Sequence, residues 1–348
     1  MGNRNVFYTI IVGLVVMWCA SCERDHLFYE TLERPTVVLD VDWSRTAFWP
    51  ESKAYDTRNV LNGVTIFAFD SATHRMVREL PPDANWQSPR LNLDPGTYDL
   101  VVINDSRQEL PTIFFNMEER FQYFTASVKS DTVYTDHPDY LAVSSVRNLR
   151  IQPPLTHYYP DRPDEYYEDF VARQVSTVQH AVTKRINIRV YVKGMNYCKG
   201  MLPSYMSGLS RSVNLSTRKA SKHQAVFAFN LVNREFRDNS YTEALLTQSF
   251  NSFGFNEDNL LSGTKFKLTI NFVLVDNSIH TVTTDVTPQF EEWLAKHSID
   301  LGLDLDLDID IALEVELPPA EPPSPEDGNR GMVPETVPWN DITQTIIL

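Results

Sequence analysis

Carboxylates at every second residue are the first feature of this sequence that could bind a metal ion. Asp304, Asp306 and Asp308 alternate with leucines, and aspartates at this spacing open the calcium-binding loop of an EF-hand. That loop also needs a turn-forming glycine and a distant glutamate, whereas here no glycine follows and apolar residues stand between the acids. The pattern therefore disfavours this kind of calcium site. Because like charges in a row repel, it leaves room for a cation or a basic neighbour beside them.

No other signature of catalysis or metal binding stands in the sequence. The eight histidines show neither a His-Glu-x-x-His motif nor another metal-ligand spacing. A Gly-x-Ser-x-Gly elbow, a phosphate loop and a dinucleotide fingerprint are also missing, and Cys198 has no histidine at a recognisable spacing. We predict a protein that is not an enzyme, without catalytic residues, metal or cofactor. A triad assembled from distant residues is the remaining enzymatic alternative.

The acidic pattern belongs to a longer alternation over residues 301–317. Every odd position there is apolar, and most even positions are Asp or Glu. Side chains of a strand alternate between two faces, so this stretch is predicted to be a strand with one dry face and one acidic, solvated face. Half-solvated strands are typical of antiparallel sheets. The length predicts a bend, a bulge or a change of sheet partway along.

Short β-like runs with turn residues between them fill most of the chain. This spacing is typical of sandwiches and barrels, and 348 residues suggest two domains. Residues 194–208, rich in glycine and turn residues, are predicted to be a loop, and 289–297 a short helix after Thr287 and Pro288. The predicted fold class is all-β, with two tandem antiparallel β-sandwich domains at 35–150 and 173–317.

Residues 1–22 resemble a bacterial lipoprotein signal. A short basic start is followed by an apolar run that is too short for a secure membrane span, and then by Cys19-Ala20-Ser21-Cys22. We predict a signal peptide at 1–21, lipid on Cys22, and a polar tether at 22–34. The alternatives are an uncleaved anchor helix and ordinary secretion.

A proline-rich connection at 151–172 separates the two predicted domains. It gathers aromatic residues beside carboxylates, an arrangement that could hold a sugar ring. Packing of these rings onto the domains is the favoured reading, and the weak candidates for ligand binding are Tyr158, Tyr159, Tyr166 and Tyr167.

Charge is concentrated after residue 298. Twelve acids and one arginine there carry eleven of the fifteen net negative charges, which argues against a nucleic-acid partner. A proline-rich acidic linker at 318–331 is followed by an apolar, β-prone segment at 332–348. We predict that this segment is a donor strand that needs a groove, on its own domain or on a partner's. Its anchoring residues are predicted to be Trp339, Ile342, Ile346 and Leu348.

Several sequence features together resemble the Bacteroidales fimbrillin-like lipoproteins, especially a branch of unknown function near fimbrial anchor and accessory subunits. They are the lipobox cysteine with its tether, the first strand VVLDVDW, the stretch Lys193-Gly194-Met195, the run Phe253-Gly254-Phe255, and Val337-Pro338-Trp339 after the acidic linker. The resemblance implies two β-sandwiches of transthyretin-like type, attachment to the outer membrane and strand donation between subunits.

Two functions follow from these observations. The first is a non-catalytic outer-membrane lipoprotein at the cell surface that serves as a fimbrial anchor or accessory subunit or in adhesion, with fimbrial subunits as partners. The alternative is a surface lipoprotein that binds glycans for polysaccharide uptake. A glycan binder should expose aromatic platforms such as Trp86, whereas a fimbrial subunit should have an open groove or a terminal strand that can be donated.

Overall fold

The computed structural model describes residues 37–52, 55–117, 120–129, 134–152, 173–297 and 308–322. The strands up to the centre of the chain are β1 (Val37–Asp42), β2 (Val64–Asp70), β3 (Met76–Asp83), β4 (Arg90–Leu91), β5 (Gly96–Asn104), β6 (Ile113–Phe115), β7 (Thr125–Val128), β8 (Tyr134–Thr135), β9 (Ala142–Ile151), β10 (Arg173–Val178) and β11 (His180–Ala181).

The strands and helices that follow are β12 (Lys184–Lys193), β13 (Cys198–Ser210), β14 (Ser212–Asn214), β15 (Gln224–Phe229), β16 (Asn233–Phe236), β17 (Glu243–Ser252), α1 (Glu257–Leu261), β18 (Lys267–Leu274), β19 (Ile279–Asp285), α2 (Thr287–His297) and β20 (Asp308–Glu316). The predicted all-β fold class is confirmed.

The first half of the molecule has three layers. A five-stranded sheet in the order β11-β9-β5-β2-β3 lies between two three-stranded sheets, β10-β1-β4 and β14-β7-β6. The alternation in β2 explains this arrangement: Ile66 and Ala68 join the core against β1, while Phe67 and Phe69 join the core on the other face. Because both faces carry large apolar side chains, both faces of this sheet are covered.

The second half is a sandwich of two sheets. One has the order β19-β18-β13-β15-β8 and the other β16-β17-β12-β20. Inward-facing residues of β12, such as Ile188 and Val190, are buried against Phe227 and Phe272 of the opposite sheet. Helix α2 covers one end of this core, where Phe290 stacks on Phe266 with ring centroids 4.2 Å apart. The hydroxyl of Thr287, at the start of this helix, accepts the Phe266 N–H at 3.0 Å.

Strand pairing joins the two halves. Strands β10 and β11, which follow the predicted linker, pair with β1 and β9 of the first half. Strand β14 of the second half pairs with β7 of the first half. Strand β8 of the first half pairs in parallel with β15 of the second half. One apolar core runs through both halves. The strands therefore cross the predicted domain boundary in both directions, and backbone hydrogen bonds hold the halves together.

The prediction of a loop at 194–208 is wrong for most of that stretch. A 3₁₀ turn at Met195–Tyr197 leads directly into the long strand β13. Pairing with β18 on one side and β15 on the other overrides the local preference for turns, and shifts of register accommodate the irregular residues. Gly208 lies at one of these shifts with a φ of +98°, which glycine adopts readily.

The alternation predicted for 301–317 is confirmed from residue 308 onward. Ile309, Ile311, Val315 and Leu317 are buried, while the acids between them are exposed apart from the half-buried Asp308. Residues 301–307 lie outside the described residues. The expectation of an antiparallel sheet is wrong for this strand, because β20 pairs in parallel with β12 at the edge of its sheet. A parallel neighbour needs a long crossover, and the chain between β12 and β20 supplies one.

Candidate functional site

The site residues predicted from the sequence lie outside the described part of the chain. They are Cys22, the linker tyrosines Tyr158, Tyr159, Tyr166 and Tyr167, and the donor-strand residues Trp339, Ile342, Ile346 and Leu348. Their roles stay predictions. The described residues instead show what surrounds the acidic strand and where the second sandwich is left open.

Strand β12 supplies the basic neighbour of the acidic strand. Asn187 donates from its amide to Asp308 at 3.1 Å and to Asp310 at 3.2 Å, and Arg189 lies 3.9 Å from Asp310. The hydroxyl of Ser249 donates to the side-chain oxygen of Asn187 at 2.7 Å. These contacts give the acids polar partners within their own sheet. Among the described residues, no group of three or more His, Cys, Asp or Glu side chains could hold a metal ion.

An ion pair at the seam fixes the first half to the same strand. Asp56, in a loop of the first half, contacts both Arg58 and Arg185 of β12. Hydrogen bonding by Arg58, together with the charge of Arg185, lowers the pKa of Asp56 to about 2. The side chain of Asp56 is only 10% exposed, so this carboxylate is held in its charged form between the halves.

Within the part of the chain that the structure describes, the inner face of β16 is not covered. Arg234 and Phe236 stand beside the buried residues Leu246 and Ala244 of β17, so they face the interior side of the sheet, yet both are exposed. The Phe236 ring meets Tyr241 edge-on, with centroids 4.9 Å apart. Val232 and Tyr241 are 67% and 61% exposed. An apolar surface is therefore open to solvent at this edge of the sandwich.

The start of β13 lies at the same edge. Its pairing with β15 begins at Ser204, so within the described chain residues 198–203 are paired with β18 only. Leu202 is 40% exposed there. Burial raises the pKa of the half-buried Cys198 thiol, and the charge of Arg234 partly opposes this shift. Met195, three residues before β13, donates its N–H to Thr242 O at 2.9 Å, so the start of β13 lies at the same end of the sandwich as the connection between β16 and β17.

We call this region the opening, defined by residues 198–203, Val232, Asn233–Phe236 and Tyr241. Both strands at its rim have one edge with unpaired backbone groups among the described residues. The bond from Arg237 N–H to Glu243 O, at 3.0 Å, sets the alternation of β16. It directs the N–H groups of Arg234 and Phe236 away from β17. The opening thus combines free hydrogen-bonding edges with exposed apolar side chains.

The C-terminal part of the described chain lies beside the opening. Leu317 N–H donates to Lys193 O at 2.9 Å, and Met195 N–H donates to Thr242 O at 2.9 Å, next to Tyr241. A Cβ atom at Gly194 would lie 2.9 Å from the Leu317 carbonyl oxygen. The residues after β20 therefore leave the sandwich at the end where the turn into β13 and the β16–β17 hairpin meet.

Aromatic residues elsewhere give weaker candidates for a sugar platform. Trp86 is half-buried, its backbone carbonyl accepts the indole N–H of Trp43 at 3.0 Å, and the two rings meet edge-on. Tyr134 and Tyr205 stack with centroids 4.3 Å apart, so each ring covers one face of the other. Trp86 is thus part of the packing of the first core.

Sequence analysis missed the opening because its residues look ordinary in isolation. The segment 233–242 is polar apart from two separated aromatic residues, and it lies between two clearer strands. The only available signal was that Phe236 and Tyr241 are large apolar residues inside a polar connection. Their exposure depends on which strands of the facing sheet reach that edge, which no local pattern encodes.

Comparison with known proteins bears on the fold. No family model matches the chain, and no curated protein matches it. A candidate adhesin from Bacteroides thetaiotaomicron VPI-5482 aligns with a TM-score of 0.51 at 11% identity, over 80% of this chain and 91% of that one.

Two further solved structures align at slightly lower scores. A candidate adhesin from Bacteroides ovatus ATCC 8483 gives 0.49 at 15% identity, over 87% of this chain and 98% of that one. The fimbrial anchor protein Mfa2 from Porphyromonas gingivalis gives 0.48 at 12% identity, over 80% and 89%. The alignment with a TM-score of 0.51 shows that this chain shares the overall all-β fold of the candidate adhesin from Bacteroides thetaiotaomicron. Among the described residues, no helix is long and apolar enough to cross a membrane.

Proposed function

We propose that this chain is a non-catalytic cell-surface subunit for adhesion or fimbrial assembly, held to the outer membrane by lipid on Cys22. The observation that carries the proposal is the opening in the second sandwich, beside the point where the C-terminal segment leaves it. The adhesin and fimbrial descriptions of proteins with this fold support the same function.

An opening of this kind is completed by an added strand. Unpaired edge groups offer main-chain hydrogen bonds, and exposed apolar side chains offer burial. Here the edges are those of β13 and β16, and the apolar side chains include Leu202, Phe236 and Tyr241. A strand with apolar residues at alternate positions would bury these side chains and pair with the edge at the same time.

The segment 332–348 of the chain itself fits this requirement. It carries Trp339, Ile342, Ile346 and Leu348, and residues 323–331 could span about 30 Å in extended form. The charges also agree, because the exposed bases Lys199, Arg234 and Arg237 outnumber the exposed acid Glu235 around the opening. The segment contains Glu335 and Asp341 and no base. We propose that it occupies the opening of its own molecule first, since the effective concentration within one chain is high. Exchange into a partner's opening is the assembly step.

Hydrogen exchange tests the occupant. In the full chain, the amides of Arg234 and Phe236, which point away from β17, should exchange slowly, because they are paired with the segment. Deleting 340–348 should make the same amides exchange quickly, while amides in the centre of β12 are unchanged. A control variant, Phe114→Ser, removes an exposed aromatic residue of β6 away from the opening and should leave the protection intact. Fast exchange of these amides in the full chain would show that the segment does not occupy the opening.

Fractionation tests the anchor separately. Replacing Cys22 by Ala should release the protein from the outer-membrane fraction without changing the folded part, because the residue precedes β1. Retention of the variant in the membrane at the wild-type level would contradict lipidation. Surface fimbriae and cell adhesion, measured in the 340–348 deletion against wild-type cells, show whether the segment serves assembly.

A further inference from the structure

Two parallel strand pairs lie in series on one backbone route through the molecule. The first is β1 with β10, paired from Val37↔Arg173 to Asp42↔Val178. The second is β12 with β20, paired from Arg185↔Asp308 to Lys193↔Glu316. Only residues 179–183 lie between the end of β10 and the start of β12. Within this stretch, His180 and Ala181 form the short strand β11, which pairs with β9.

The direction of each pair decides how it responds to tension. If the N-terminal segment is pulled, the force enters β1 at Val37 and reaches the second half most directly through β10, at its C-terminal end. Strand β1 also pairs with β4, but the chain from β4 returns to the second half only through the rest of the first half. Val37 and the C-terminal end of β10 lie at opposite ends of a parallel pair, so the hydrogen bonds are loaded together in shear rather than opened one after another. The second pair has the same geometry, because force enters β12 at Lys184 and leaves β20 at Glu316.

We infer that the chain is built to bear tension between its N-terminal and C-terminal segments through these two shear clamps. While the first clamp holds, residues 43–172 carry no load, and while the second holds, residues 194–307 carry none. The property goes beyond the proposed function, because it depends only on strand direction and not on what the C-terminal segment binds. It suits a surface protein pulled between an anchored end and a bound partner.

Burial strengthens both clamps. Val37, Leu39 and Val41 of β1 are buried, and so are Ile309, Ile311 and Val315 of β20. Sliding either strand by one residue would move these side chains from the apolar core to the solvated face. Slippage therefore has to break the hydrogen bonds and expose the apolar side chains in one step.

The structure identifies which residues supply the clamp hydrogen bonds. Leu317 N–H donates to Lys193 O, so by alternation the odd residues of β20, including Leu313, point their N–H groups at β12. Even residues such as Ala312 point to the free edge. Gln179 N–H donates to Asp42 O at 2.8 Å, so Val38, Asp40 and Asp42 of β1 face β10.

Single-molecule force spectroscopy on the full chain, with a handle fused at each end of the sequence, tests the inference. Asp40→Pro removes a clamp N–H from an exposed residue, and Asp40→Ala is its side-chain control. We expect the rupture force of Asp40→Pro to fall by roughly a sixth relative to Asp40→Ala. Val38, Asp40 and Asp42 each donate and accept one hydrogen bond in this pair, and the proline removes one of these about six bonds. Leu313→Pro should likewise rupture below Leu313→Ala, whereas Ala312→Pro at the free edge should match wild type.

Rupture of the first clamp should release about 450 Å of chain, and rupture of the second about 390 Å. The segments that precede β1 and follow β20 can extend first, because they lie outside both clamps. Release of any longer stretch before the main force peak would contradict the clamps.

A thermal control separates mechanical strength from stability. Ile270→Ala truncates a buried residue of β18, outside both clamps, so it should lower the melting temperature while leaving the rupture force near the wild-type value. The inference is overturned if Asp40→Pro ruptures at the force of Asp40→Ala. It is equally overturned if Ile270→Ala weakens the chain under force as much as the clamp variants do at a comparable melting temperature.

Discussion

Individual side chains at the acidic strand show how a row of like charges is made tolerable. Asn187 donates to two aspartates at once and is itself held by Ser249, so the partner is a neutral amide as well as the nearby Arg189. The sequence predicted that the acids lie on one exposed face and left a basic neighbour open. It could not identify β12 as that neighbour, because the pairing joins residues more than 120 positions apart in the chain.

The carboxylate of Asp56 at the seam should make the stability of the protein depend on pH. The folded pKa of Asp56 is about 2 against an ordinary value of 3.8, so its contribution to stability is present above pH 3.8 and is lost as the pH falls towards 2. Asp56→Asn should lower the free energy of unfolding by about 2 kcal/mol at pH 7. Denaturant titrations at pH 7 and near pH 2 should show this difference shrinking at the lower pH. A difference that does not change with pH would contradict the charged pair.

A second residue-scale prediction concerns Gly208. A Cβ atom there would lie 2.6 Å from the ring of Phe266, and the φ of +98° disfavours other residues. Gly208→Ala should lower stability by about 2–5 kcal/mol through strain and overpacking. Gly200→Ala in the same strand is the matched control, since nothing lies within 4 Å of its added Cβ, and it should cost less than about 1 kcal/mol. Equal losses in thermal melting would contradict this assignment.

Strands are the scale at which sequence reasoning succeeded and failed most clearly. Period-two alternation predicted β20, and the predicted first strand VVLDVDW corresponds to β1, because each of these strands has one buried face in a regular sheet. The same reasoning missed β13, whose glycines and proline look like a loop, since two flanking strands force the chain into pairing. It also predicted an antiparallel neighbour for β20, because wet faces are rarer in parallel sheets and direction depends on the distant crossover.

The faces of β20 give the prediction at the scale of elements. Ile311 is fully buried, and Asp310, the residue before it, is exposed. Ile311→Ala should cost about 2–5 kcal/mol of stability because it leaves a cavity. Asp310→Asn should cost less than about 1 kcal/mol, as expected for an exposed ion pair. Chemical denaturation of both variants measures the contrast, and similar losses would mean that the acidic face is covered as well.

The whole molecule is held together by strands exchanged between its halves. Sequence reasoning divided the chain at a proline-rich connection, because composition changes there. It could not foresee that β8, β10, β11 and β14 pair across that division, since these strands are short and their partners are remote. The opening was not predicted for the same reason. It exists because the pairing of β15 with β13 begins only at Ser204 and because β16 lies at the edge of its sheet.

Shared sheets and a shared core predict cooperative unfolding. Calorimetry on the protein should show one transition for both halves, although chains of this length often unfold domain by domain. Val213→Asp buries a charge where β14 meets β7. It should lower the temperature of that single transition instead of splitting it. Two resolved transitions in the wild-type protein would show that the halves are independent.

A disulfide cross-link between the C-terminal segment and the rim tests most directly whether the segment fills the opening. Leu202→Cys at the rim is combined with Ile346→Cys in a Cys198→Ser background and oxidised on intact cells. We predict a rapid cross-link, within one chain before assembly and between chains in assembled material. The control pair, Phe114→Cys with Ile346→Cys, should cross-link slowly, because Phe114 lies on β6, outside the opening. Equal rates for the two pairs would contradict the account.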